Sequence, residues 1–188
     1  MNIPSIRGND DEGFDEFDEF VPEHVPQPGE FLRGNDVLTG AAHVAFHELT
    51  RDLFEERGVY DITFGYNLAR LNLDQRHPDA GFRYAEAADE DGVLLAEFTP
   101  TTAFCPQSET LTKGAFRAWN GLADHHDYDV VRVRVAPMHH ESHRIGGELR
   151  RLEERFEADG ELPDPRTRGS AAVVPSERGY DPEPDTPF

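Results

Sequence analysis

The chain is expected to fold as one small α/β (α+β) domain, a mixed sheet with a β-α-β crossover and helices packed on it. Three observations predict this. Strand-like alternation occurs around 92–98 and 129–135, an amphipathic helical pattern lies between them, and regular structure is confined to about 37–158 of the 188 residues.

Residues 1–36 are rich in Asp, Glu, Gly and Pro, with Phe14, Phe17 and Phe20 at every third position among carboxylates. That composition predicts an acidic, disordered tail, although the spaced phenylalanines would also suit a partner-docking element. A helix is predicted over 41–57, where Val44, Leu49, Leu53 and Phe54 share a narrow face and Gly58 provides a stop. Partial alternation in 60–73, as in Ile62/Phe64 and Leu71/Leu73, reads as one or two strands. Segments 83–87 and 92–98 read as a hairpin around the turn ADEDG. Pro106 suits a first helical position, and the helix through Leu122 carries Leu111, Ala115, Phe116 and Trp119 on one side. A half-buried strand over 129–135 precedes a charged amphipathic helix over 141–157 that buries Ile145, Leu149, Leu152 and Phe156. From 159 to 188, Pro and Gly recur too often for regular structure, predicting a second disordered tail.

Asp and Glu total 38 against 18 Lys and Arg, a formal net charge of -20, and Lys113 is the only lysine. Carboxylate loading of this kind suits a halophilic protein, soluble where the Debye length falls to about 3 Å at molar salt. It also repels phosphate backbones, and no basic stripe is present, so nucleic acid is not an expected partner. No apolar run approaches a membrane span and the N-terminus lacks a secretory pattern, so a cytoplasmic protein with no membrane partner is expected. One cysteine, Cys105, excludes an internal disulfide and any multi-cysteine site within one chain.

Strand 92–98, helix 106–122 and strand 129–135 form a strand-helix-strand unit whose strands should run parallel. The loops TPTTAFC and APMHHESH then share the carboxyl edge of the sheet, where open α/β sheets place their sites, bringing Cys105 near His139, His140 and His143. A helix start favours a cysteine thiolate, and a thiolate with imidazoles is a ligand set for zinc or iron. The plainer readings are a cysteine acting as a small hydrophobe and histidines acting as polar surface residues. His125 and His126, at the opposite edge, are read as solvated.

The segment EFTPTTAFCPQS at 97–108 resembles the strand-loop-helix element of the PaaD/SufT-like iron–sulfur cluster assembly factors, through Thr99, Pro100, Thr101, Thr102, Cys105 and Pro106. VRVAPMHHESH at 133–143 is similar to the strand and proline-containing turn that follow it, and DAGFRY at 79–84 to a glycine turn ahead of it. The resemblance implies a non-enzymatic assembly or targeting factor with Cys105 as its functional thiol. It also implies a client apoprotein or another assembly factor as partner, and a transient iron–sulfur cluster as cargo. A single thiolate does not complete a cluster, so a homodimer, histidines or small thiols would supply the other ligands. Competing classes are a mononuclear zinc or iron protein, a thiol enzyme using Cys105 with a histidine base, and a structural protein-interaction module.

Overall fold

The computed structural model of the chain describes residues 13–162. Its main sheet has the order β1 (Asp36–Val37), β4 (Gly81–Glu86), β5 (Val93–Thr99), β6 (Val130–Val135). β4 and β5 form the antiparallel hairpin, β5 and β6 run parallel from Val93↔Val130 to Phe98↔Val135, and β1 pairs antiparallel with β4. The sheet is therefore mixed, with the crossover through a helix that the sequence predicts.

Three helices complete the fold: α1 (Gly40–Arg57), α2 (Ser108–Gly121) and α3 (Ser142–Asp159). Phe82, Tyr84, Leu94, Phe98, Val131 and Val133 line the sheet face that meets them, around a fully buried Trp119. Gly58, in the left-handed region at φ 67°, ends α1 by donating its N–H to the carbonyls of Phe54 and Glu55. The buried face of α1 is His43, Phe46, His47, Thr50, Leu53 and Phe54, whereas Val44 and Leu49 are only half-buried. Two histidines on the inner face make its apolar stripe read too narrow.

Three boundaries differ from the sequence reading. Residues 60–73 hold a two-residue hairpin, β2 (Tyr60–Asp61) with β3 (Tyr66–Asn67), and then a 3-10 turn, Leu68–Leu73. The Leu71/Leu73 alternation belongs to that turn, which buries both residues and is capped where the Asn67 side chain accepts the Ala69 N–H. α2 starts at Ser108, two residues after Pro106, because Cys105 to Ser108 is first a tight turn closed by the Ser108 N–H on the Cys105 carbonyl. The third difference is the N-terminal segment. From residue 13 it packs on the domain rather than forming a tail: Val25 and Leu32 are 4 % and 0 % exposed, Phe14 meets Tyr66 edge-on, Phe17 stacks on His47, and Phe20 packs at a tilt on His43. Spaced apolar residues here serve as plugs over a polar-lined surface, a role without helical or strand period. At the other end α3 runs to Asp159, Gly160 caps it and Leu162 packs against the core, so the first four residues of the predicted tail (159–188) belong to the fold and the rest lie outside the described residues.

Candidate functional site

The loops that follow β5 and β6 meet at the carboxyl edge of the two parallel strands, as the crossover argument requires. Contact is made through the backbone of the Cys105 loop. His139, 2 % exposed, donates its Nε2–H to the Cys105 carbonyl at 3.0 Å and accepts the Glu141 N–H on Nδ1 at 3.2 Å. His140 donates both its backbone N–H, at 3.0 Å, and its Nδ1–H, at 2.7 Å, to the Ala103 carbonyl. Its ring lies 4.9 Å from that of Phe104, and its Nε2 is 4.0 Å from a Glu141 carboxylate oxygen.

Each predicted residue therefore has a distinct place. Thr99 ends β5, Pro100 is buried, and Thr101, Thr102 and Pro106 line the loop with Cys105, which is half-buried and free of any disulfide. His139 is a structural tie between the loops, with both ring nitrogens hydrogen-bonded. His140 keeps Nε2 towards solvent and Glu141. His143 stands apart, lining a groove of about 350 Å³ with Glu97, Arg134, Pro137 and Arg150. Among the described residues, no three His, Cys, Asp or Glu side chains are grouped to hold a metal ion. Of the two histidines set aside at the opposite edge, His126 is not solvated: its Nε2–H donates to the Trp119 carbonyl at 3.0 Å.

Part of the apolar exposure lies at the same edge. The large hydrophobic side chains exposed among the described residues are Ile62 (83 %), Phe104 (73 %), Met138 and Tyr60. Phe104 precedes Cys105 and Met138 precedes His139, while the Ile62 loop is bound to Gln107, whose side chain accepts the Ile62 N–H and donates to Thr63 Oγ1. The sequence carries this signal as apolar residues in otherwise polar loops, but only the fold assembles them.

Residues 12–163 match DUF7998, a domain of unknown function. The chain belongs to that family. No curated protein and no solved structure matches it. The DUF7998 match begins at residue 12, so it includes the N-terminal segment that packs on the sheet and α1.

That segment covers a second polar cluster of the DUF7998 domain, which the sequence reading missed. His47 bridges the Tyr84 hydroxyl at 2.7 Å and the Ala69 carbonyl at 2.8 Å, and His43 stacks on it at 5.5 Å. Burial pushes His47 down to about 4, and burial with the neighbouring His47 and Arg83 charges pushes His43 down to about 3. Both are therefore neutral at neutral pH. His43 Nδ1 is buried without a hydrogen-bond partner.

Proposed function

We propose that this DUF7998 domain is a non-enzymatic accessory factor that docks a partner protein on the strand-end edge around Cys105. The observation that carries the proposal is the exposure of Phe104 and Met138 on the two loops that meet at this edge, with Ile62 exposed on the loop bound to Gln107, on an otherwise carboxylate-rich chain. Exposed apolar side chains clustered beside a polar rim mark interaction surfaces.

The loop resemblance supports an iron–sulfur cluster as the cargo passed at this edge, with a client apoprotein or another assembly factor as the partner. In this reading the Cys105 thiol and His140 Nε2 are the donors the chain offers, and the client or a second copy supplies the rest of the four ligands an iron site needs. Such incomplete ligation suits a factor that releases what it carries. Among the described residues, no helix is long and apolar enough to cross a membrane.

The experiment is anaerobic purification in molar KCl followed by iron, zinc and acid-labile sulfide analysis of wild type and Cys105→Ser. Iron with sulfide in the wild type, lost in the variant, is the expected result. Zinc alone would replace the reading with a mononuclear metal protein. A second reading, a docking module without cargo, is favoured by the engagement of both His139 ring nitrogens in loop hydrogen bonds. Absence of metal from both proteins would establish it in place of the first.

A further inference from the structure

The sheet face turned away from the helices buries two opposite charges, Arg83 at 5 % exposure and Glu97 at 1 %. They are direct cross-strand partners in the β4–β5 register, so their side chains leave the same face with Cβ atoms about 4.5–5.5 Å apart. Opposite charges in that position ordinarily pair. Here both turn instead to residues 26–38. Glu97 accepts the N–H groups of Gly29 at 2.7 Å and Phe31 at 3.2 Å. Arg83 donates to the carbonyls of Pro26 at 3.3 Å and Leu38 at 3.4 Å, long bonds that leave its Nε without a partner.

Apart from these bonds, the segment is held by the two residues of β1 pairing, the Leu38 N–H on the Tyr84 carbonyl, and Leu32 in a seat made by Ala85, Val93, Leu95 and Val130. Phe31 and Val37 pack beside that seat, Arg134 lies over the Phe31 ring, and the Ala88 N–H donates to Asn35. Gly29 is pressed against the acid so closely that a Cβ there would lie 2.2 Å from Glu97 Oε1.

We propose that residues 26–38 are a releasable strap, and that Arg83 and Glu97 close into an ion pair with each other when it lifts. A clasp made of one buried cation and one buried anion would normally resist opening, because each charge would lose its hydrogen bonds inside the protein. Their register supplies the replacement. The same two side chains serve the strap's carbonyls and N–H groups when it is seated and serve each other when it is not. Lifting bares the outer edge of β4 and the apolar seat of Leu32.

Hydrogen exchange read by mass spectrometry on the full chain in molar KCl tests the proposal. In the wild type, amides of residues 29–38 should exchange at least about tenfold faster than those of α2, with little dependence on added denaturant. Gly29→Ala, which leaves both charges intact, should speed the strap further and leave α2 unchanged. The exchange of charges, Arg83→Glu with Glu97→Arg, reverses the polarity that the strap's backbone needs but keeps the mutual pair. It should leave α2 and β5 protected with the strap unprotected. Strap and α2 amides exchanging together in the wild type would overturn the proposal. So would a Gly29→Ala strap protected like the wild type, or a charge-exchanged protein that loses α2 protection along with the strap.

Discussion

Arg83 and Glu97 stand opposite each other across β4 and β5, yet each bonds to the backbone of residues 26–38 rather than to the other. The relationship explains how a segment without helix or strand of useful length is held on the sheet. Charged side chains substitute for the missing ladder by supplying an acceptor and a donor at fixed points. It also makes the N-terminal segment part of the fold, in agreement with a family match that begins at residue 12.

His139 and His140 are adjacent in sequence and should respond oppositely to truncation. His139→Ala removes a buried ring that joins the Cys105 carbonyl to the Glu141 N–H, and should cost about 1–3 kcal/mol with or without added metal. His140→Ala, at a largely exposed ring, should stay within about 0.5 kcal/mol. Urea unfolding with and without zinc separates the two. A destabilisation by His139→Ala seen only when metal is present would make that residue a ligand rather than a tie.

Stability should fall steeply with acid because of the buried histidine pair. Their folded-state values lie below the unfolded value of 6.5, so their contribution is complete above pH 6.5 and is lost as pH falls towards 4 for His47 and 3 for His43. Unfolding takes up about two protons in that window, a slope of about 2.7 kcal/mol per pH unit. Urea midpoints between pH 7.5 and 4.5 should show it, and His43→Phe should remove about half of the slope. An unchanged slope in that variant would place the proton uptake elsewhere.

Gly81→Ala should be among the most damaging small substitutions. Gly81 has φ 112°, and a Cβ would lie 2.2 Å from Asn72 Oδ1. Asn72 clamps the 3-10 turn to β4 by accepting the Phe82 N–H and donating to its carbonyl, each at 2.7 Å. Strain and a disturbed clamp together predict a loss of at least about 2 kcal/mol in thermal or urea unfolding. A loss under about 0.5 kcal/mol would show that the turn relaxes freely.

The net charge of -20 predicts unfolding midpoints that rise with KCl between about 0.1 and 2 M, because added ions screen carboxylate repulsion. Midpoints flat across that range would remove the halophilic reading.

Phe104→Asp with Met138→Asp should leave stability within about 0.5 kcal/mol, since both side chains are exposed, and under the proposed function should abolish docking at the Cys105 edge. Iron and sulfide transfer to a purified apoprotein, measured against wild type, is the readout. Undiminished transfer by the folded double variant would place the docking surface elsewhere.

Local pattern alone determined the helices α2 and α3, the β4–β5 hairpin and the crossover to β6, because each has a period that a short window reveals. It also placed the Cys105 and His139–His140 loops at one sheet edge, since parallel strands end on the same side. The tertiary structure decided what period does not encode. The narrow apolar face read for α1 omits His43 and His47, whose burial is accounted for only once Tyr84 and Ala69 bond His47 and His43 stacks on it. Residues 13–36 read as a solvated acidic tail because their anchors are isolated phenylalanines and backbone groups bonded to Arg83 and Glu97, residues about 60 positions away. His139 read as a free ligand, and only the approach of residue 105 to it in space occupies its nitrogen. Burial of polar groups becomes favourable through partners distant in the chain, and such pairing has no local signature.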